Sequence, residues 1–297
     1  MGVDSAMHVS RSAASFRHTE SAAFSRKFGR FLSVACVALA LGATSLFSPL
    51  QNVPVFAAEK APVSELAPDL ERPVVIYLHS LSSNNGEPFC FPGGKKGFIY
   101  HAFKINSPKL EMKSLEYDYG KVFTGDYADL VNEVEACVKE FNIKTRRLIL
   151  VGTSIGGYAI FPLYAKLPPQ TRDLVMGAIA VACPENLEIC AKKTRAENML
   201  NIYKPYSEGL PNMSLSRMLA NASVPPVVVY MRYHEDLTVP YACSSKLLPF
   251  LKKKGAVCRE ITLEGKHGIP AQINYEVAYQ QFKSLVRKSP EEADAVK

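Results

Sequence analysis

A serine lies between glycines in the segment GTSIGG, residues 152–157, directly after the apolar run LILV. The apolar run and the helical pattern that follows it predict a strand, a sharp turn and a helix. Glycines two residues before and after the serine, Gly152 and Gly156, allow the close strand–helix approach of a nucleophile elbow. Such a turn presents the hydroxyl of Ser154 at the carboxyl end of the sheet. The N–H of Ile155, at the helix N-terminus, is then placed to face an oxyanion.

A serine hydroxyl is a poor nucleophile unless a base removes its proton, and that base needs an acid to orient it. The segment YHEDLTVP follows an apolar run and supplies Asp236, and EGKHGIP follows the last predicted strand and supplies His267. The order serine, acid, histidine along the chain is the one that accompanies this elbow. The sequence therefore predicts Ser154 as nucleophile, His267 as base and Asp236 as the acid that orients the base.

Short apolar runs alternate with helical patterns along the rest of the chain. The predicted strands are 73–79, 110–118, 146–153, 174–183, 225–233 and 256–265, and the predicted helices are 126–141, 155–167, 241–254 and 270–288. This alternation is typical of an α/β protein with a mainly parallel sheet of about six strands flanked by helices. Residues 184–224 break the alternation, so we expect an insertion before the penultimate strand, over one end of the sheet.

With these motifs, residues 73–287 resemble the α/β-hydrolase superfamily, in particular small esterases of the dienelactone-hydrolase and prolyl-oligopeptidase-like type. The resemblance rests on three segments: GTSIGG, the D-x-x-V-P pattern that begins at Asp236, and KHG. The resemblance favours Asp236 over its neighbour Glu235 as the acid. It also implies a second oxyanion donor after the first strand. There Ser80 replaces the family's glycine, and position assigns the donor to the N–H of Leu81.

The first 58 residues differ from the rest of the chain. Arg26, Lys27 and Arg30 precede the apolar run FLSVACVALALGATSLF, and no charged residue occurs from 31 to 58. This pattern predicts a secretory signal, and therefore an exported protein, periplasmic or secreted. The alternative is an uncleaved anchor, which would be the one source of membrane association. We expect a linker at 59–72, the hydrolase-like domain at 73–288 and a tail at 289–297.

The composition of the chain limits which kinds of binding partner are expected. The chain has 297 residues, 47% hydrophobic and 21% charged, as an ordinary globular protein has. Its net charge is +7, without a basic block interleaved with aromatics, so no nucleic-acid partner is expected. Six cysteines follow the predicted signal and none has zinc-knuckle spacing, so neither a metal nor another cofactor is expected. Export would permit disulfides, and Cys183 with Cys190 is the favoured pair, at the root of the insertion.

The predicted function is that of an exported serine hydrolase acting on a small-molecule acyl substrate. It would cleave an ester or related acyl bond through an acyl-enzyme intermediate. A serine peptidase or a thioesterase with the same triad is an alternative within the enzymes. A non-catalytic binding protein on a hydrolase scaffold is an alternative outside them, and Ser80 is the feature that favours it.

Overall fold

The computed structural model describes residues 67–80, 98–195, 197–268 and 272–287. The six strands within these ranges form one sheet in the order β2-β1-β3-β4-β5-β6, and all five neighbouring pairs are parallel. The strands are β1 (Val74–Leu78), β2 (Glu111–Leu115), β3 (Leu148–Thr153), β4 (Val175–Val181), β5 (Val227–Tyr233) and β6 (Val257–Leu263). The predicted six-stranded parallel architecture is confirmed.

Ten helices accompany these strands in the described ranges. They are α1 (Phe98–Lys104), α2 (Tyr119–Thr124), α3 (Ala128–Glu140), α4 (Ile155–Lys166), α5 (Pro169–Asp173), α6 (Leu187–Lys193), α7 (Glu197–Tyr203), α8 (Leu215–Met218), α9 (Leu247–Lys253) and α10 (Gln272–Arg287). None of them combines the length and the apolar character that a membrane span requires. Helices α6 to α8 form the predicted insertion between β4 and β5. The predicted signal and the C-terminal tail lie outside the described residues.

The helix predicted over 241–254 is wrong at its start. A single 3-10 turn covers Tyr241–Cys243, and the α-helix begins only at Leu247. The carbonyl of Cys243 accepts hydrogen bonds from the N–H groups of Glu185 and Asn186, at 2.7 and 3.2 Å. Because the insertion occupies this carbonyl, the N–H of Leu247 bonds to Ser244 instead, at 2.9 Å. A tertiary contact has therefore displaced the local helical pattern.

The core consists of two layers, one on each face of the sheet. Every residue of β1 is buried, as expected for a central strand covered on both sides. Val74, Ile76 and Leu78 pack on the face covered by α2, α3, α4, α9 and the insertion. Val75 and Tyr77 pack on the opposite face, under α1 and α10.

The direction of chain connection reverses between β1 and β3. From β1 the chain runs outward to the edge strand β2 and then returns to β3 on the other side of β1. In open α/β sheets, the crevice beyond the carboxyl ends at such a switch point is where ligands bind. The carboxyl end of β3 leads into Ser154 and that of β1 into His79. The topology therefore places the predicted nucleophile beside this crevice.

An irregularity in β4 brings helix α10 and strand β5 close to the backbone. Leu148 of β3 pairs with Val175, but its successor Ile149 pairs with Gly177, so one extra residue enters β4. A Cβ on Gly177 would lie 2.8 Å from Cε2 of Phe282 and 2.9 Å from Cβ of Val227. The missing side chain is what lets both neighbours approach.

We predict that Gly177→Ala lowers the free energy of unfolding by about 1–3 kcal/mol, because the added methyl overpacks this junction. Gly209→Ala is the matched control: its Cβ would meet atoms only at 3.6 Å and beyond, an ordinary van der Waals distance. The control should change stability by no more than about 0.5 kcal/mol. Urea denaturation measures both, and equal midpoints for the two variants would contradict the prediction.

Candidate active site

The strand-to-helix turn at Ser154 has the strained geometry of an elbow. Ser154 has φ 55° and ψ −118°, a conformation that residues with side chains rarely adopt. Its N–H donates to the carbonyl of Val181 in β4 at 2.7 Å, and its own carbonyl accepts from the N–H of Tyr158 at 3.1 Å. The neighbouring strand and the first turn of α4 thus hold the residue from both sides. Ser154 is 5% exposed.

The glycines around Ser154 lie where helix α4 meets the strands. A Cβ on Gly152 would collide with the carbonyl of Gly156. A Cβ on Gly156 would collide with the carbonyl oxygens of Leu78 and His79, at the end of β1. Both positions therefore require glycine for the helix to start this close to two strands, which is the reason the sequence pattern suggested.

The predicted acid and base are hydrogen-bonded to each other. Nδ1 of His267 lies 2.7 Å from Oδ2 of Asp236. The other carboxylate oxygen, Oδ1, accepts the N–H groups of Thr238 at 2.9 Å and Val239 at 2.7 Å. The Asp236 side chain is 4% exposed and that of His267 18%. With Nδ1 held against a carboxylate, the neutral imidazole carries its proton there and leaves Nε2 as the acceptor.

The structure also distinguishes the two candidate acids. Glu235 is exposed, whereas Asp236 is buried and contacts His267. The N–H of Glu235 donates to the carbonyl of Gly265 at 3.1 Å, so its backbone joins the turn after β5 to the turn after β6. Parallel pairing brings the carboxyl ends of β3, β5 and β6 to one edge of the sheet. Ser154, Asp236 and His267 all follow strands at that edge.

Tyr233, which the sequence did not single out, anchors the histidine turn. Its hydroxyl donates to the carbonyl of Gly268 at 2.8 Å, and its ring centroid lies 6.4 Å from that of His267. Burial raises the pKa of the Tyr233 hydroxyl, with a further contribution from the charge of Asp236, so it stays protonated as a donor. The sequence signal that could have identified Tyr233 is its position as the last residue of the strand that precedes Asp236.

Tyr117 plays a similar part at the end of β1. Its hydroxyl donates to the carbonyl of His79 at 2.6 Å, and the two rings pack with centroids 4.6 Å apart. Desolvation raises the pKa of Tyr117, which keeps this donor protonated. The predicted oxyanion donor Leu81 lies outside the described residues. The other predicted donor, Ile155, is the first residue of α4, where backbone N–H groups have no acceptor within the helix.

The five cysteines in the described ranges are free thiols. The predicted Cys183–Cys190 bridge is therefore absent from the structure. Cys183 lies against the elbow, because a Cβ on Gly157 would be 2.7 Å from its Cβ, whereas Cys190 lies in α6. Burial raises the pKa of the Cys183 thiol, which makes it unreactive. Cys90 lies outside the described residues.

Within the described ranges, no three His, Cys, Asp or Glu side chains come together in a way that could hold a metal ion. The residues that follow strands at this sheet edge carry a serine hydroxyl, a carboxylate-bound imidazole and the N–H groups of a helix N-terminus.

Solved structures share this architecture. Acylaminoacyl peptidase from Pyrococcus horikoshii matches with a TM-score of 0.54 and 17% identity, over 76% of this chain and 40% of its own. A puromycin-hydrolyzing peptidase from Mycobacterium tuberculosis matches with a TM-score of 0.51 and 16% identity, over 76% of this chain and 34% of its own. Esterase B from Lactobacillus rhamnosis matches with a TM-score of 0.52 and 14% identity, over 76% of this chain and 80% of its own.

This chain thus spans less than half the length of either peptidase and covers most of the esterase. No protein-family model and no curated protein matches the sequence. The chain has the α/β-hydrolase fold, and the structural matches show this fold and nothing finer.

We predict that Tyr233→Phe loosens the turn that carries His267. The change removes one hydrogen bond to Gly268, worth about 1 kcal/mol, and keeps the ring. Amides of residues 264–268 should exchange with deuterium roughly fivefold faster, since local opening becomes easier by that amount. The exposed Tyr241 provides the control variant Tyr241→Phe, which should leave this exchange unchanged. Identical exchange in Tyr233→Phe and the wild type would show that the hydroxyl does not anchor the turn.

Proposed function

We propose that this chain is a serine hydrolase that cleaves an ester or a related acyl bond of a small-molecule acyl substrate. The observation that carries the proposal is the 2.7 Å contact between His267 and Asp236, at the sheet edge that also presents the strained Ser154. The fold alone would not support an activity, because one scaffold serves many functions. The solved structures that match are peptidases and an esterase, which agrees with the chemistry of the site.

In the proposed reaction, Nε2 of His267 takes the proton from Oγ of Ser154 as this oxygen attacks the substrate carbonyl. Asp236 stays ionised and stabilises the imidazolium. The N–H of Ile155, joined by that of Leu81, donates to the oxyanion. His267 then gives its proton to the leaving group, and an acyl-enzyme remains. Water, with His267 again as base, releases the acid and restores Ser154.

Ester cleavage is the proposed activity, and peptide or thioester cleavage by the same triad is the alternative. The esterase that matches is covered over 80% of its length, whereas the peptidases have most of their chains outside the matched region. The N-terminal pattern adds the proposal that the enzyme acts after export, in the periplasm or outside the cell, or on a membrane anchor.

We predict that a fluorophosphonate probe labels the wild-type protein at Ser154 and that Ser154→Ala abolishes the labelling. Hydrolysis of p-nitrophenyl acetate should fall by about 10³-fold or more in this variant, since only binding and oxyanion contributions remain. Ser207, an exposed serine, supplies the control Ser207→Ala, which should keep both properties. A wild-type protein that neither labels nor hydrolyses a series of esters would instead support the binding-protein alternative.

We predict that Asp236→Asn lowers kcat for the same ester by roughly 10⁴-fold with the fold preserved. The amide keeps the shape of the side chain but no longer fixes the imidazole in the required tautomer. Glu235→Gln removes a neighbouring exposed carboxylate and should change kcat no more than a few-fold. Steady-state kinetics compares the two variants. The acid would have to be reassigned if Glu235→Gln proved to be the damaging change.

A further inference from the structure

Two buried thiols meet where the insertion contacts the turn that carries Asp236. Cys190 of α6 is 0% exposed, and Cys243 of the 3-10 turn is 1% exposed. Their side chains hydrogen-bond to each other. The hydroxyl of Tyr203 donates to Sγ of Cys190 at 3.6 Å, and the Cys190 thiol donates to the carbonyl of Thr238 at 3.5 Å. The thiol pair therefore sits directly behind the acid turn.

The backbones on both sides of the pair are fixed. The carbonyl of Cys243 accepts the N–H groups of Glu185 and Asn186, at 2.7 and 3.2 Å. The side chain of Asn186 caps α6 by accepting the N–H of Ile189 at 2.9 Å, and its carbonyl accepts the N–H of Cys190 at 3.0 Å. One short hydrogen-bond network thus links the backbone of Cys243 through Asn186 to that of Cys190.

We propose that Cys190 and Cys243 form a disulfide that joins helix α6 of the insertion to the segment following Asp236. The pairing replaces the Cys183–Cys190 bridge that closeness along the chain suggested. Cys183 is instead buried at the elbow, and its carbonyl accepts the hydroxyl of Tyr230 at 3.2 Å. The disulfide does not depend on the proposed hydrolase activity, because its formation involves neither Ser154 nor a substrate.

Oxidation proceeds by thiol–disulfide exchange with a small disulfide such as glutathione disulfide. One of the two cysteines, written here as Cys190, attacks a sulfur of the oxidant as its thiolate. A mixed disulfide forms and one glutathione leaves. Cys243 then attacks Sγ of Cys190 and displaces the second glutathione. Two thiols thus lose two protons and two electrons, and glutathione disulfide becomes two glutathione thiols. Because both cysteines are buried after folding, exchange takes place while the chain folds.

The bond has a mechanical and a thermodynamic consequence. It joins α6 to the short segment between Thr238 and Cys243. The N–H of Thr238, at the start of this segment, donates to Oδ1 of Asp236 at 2.9 Å. The disulfide also closes a loop of about 50 residues, which restricts the unfolded chain and stabilises the folded one. Reduction should therefore lower Tm by roughly 10 °C.

The experiment refolds the full chain in a buffer of reduced and oxidised glutathione. Acid quenching, alkylation in denaturant and proteolysis without reduction follow, and mass spectrometry identifies the linked peptides. We expect the peptide containing Cys190 to be joined to that containing Cys243, with Cys183 and Cys258 alkylated. Alkylation of Cys190 and Cys243 as free thiols would overturn the proposal, and so would linkage of either to Cys90, Cys183 or Cys258.

Thermal denaturation with and without dithiothreitol gives an independent readout. Cys190→Ala and Cys243→Ala should each abolish the dithiothreitol-sensitive part of Tm. Cys258→Ala removes a partly exposed cysteine whose thiol donates to the carbonyl of Ala256 at 3.5 Å, and it should retain the full effect. If dithiothreitol left the Tm of the wild type unchanged, the proposed stabilising disulfide would be contradicted, even where the linked peptide is found.

Discussion

The close approach of helix α4 to the ends of β1 and β3 is the constraint on which the site depends. Gly156 lies against the carbonyls of Leu78 and His79, so no side chain fits between helix and strand. The chain can turn this sharply only if Ser154 adopts a positive φ, at a cost of about 1–3 kcal/mol. The hydrogen bond from its N–H to Val181 and the buried strands on both sides hold it in that conformation.

The acid side of the site depends on the insertion as much as on the sheet. Glu185, buried just after β4, accepts both the hydroxyl and the N–H of Ser216, at 2.7 and 3.0 Å, and so fixes the start of α8. The N–H of Arg195 donates to the carbonyl of Leu237 at 3.0 Å, next to Asp236. Together with the network around Cys243, these bonds make the turn that carries Asp236 part of the insertion's packing. A change in the insertion can therefore reach the acid without touching the sheet.

The sequence predicts best those elements whose signal is local. Strands buried on both faces are short continuous apolar runs, and all six were located within a few residues of their ends. Helices α1 and α2, of seven and six residues, were missed because so few residues show no helical period. The start of α9 was misplaced because a distant segment binds the carbonyl of Cys243. The cysteine pairing followed spacing along the chain, whereas the observed contact joins residues far apart in sequence.

The site residues also differ in whether a local sequence signal marks them. Ser154, Asp236 and His267 are predicted from local motifs, and the structure places each of them after a strand, at one edge of the sheet. The supporting tyrosines could not be predicted, because Tyr117 reaches the carbonyl of His79 and Tyr233 that of Gly268 from distant parts of the chain. Burial keeps both hydroxyls protonated, so each remains a donor and fixes the peptide group whose carbonyl it binds.

Because a peptide group is planar, holding its carbonyl also sets the direction of the N–H that follows it. Tyr117 therefore orients the peptide that joins His79 to Ser80, just before the predicted oxyanion donor Leu81. Tyr233 holds the carbonyl of Gly268, the residue that follows His267. The backbone after His79 and after His267 is thus held by tyrosine hydroxyls that stay protonated, so in the proposed reaction the proton passes only between Ser154, His267 and the leaving group.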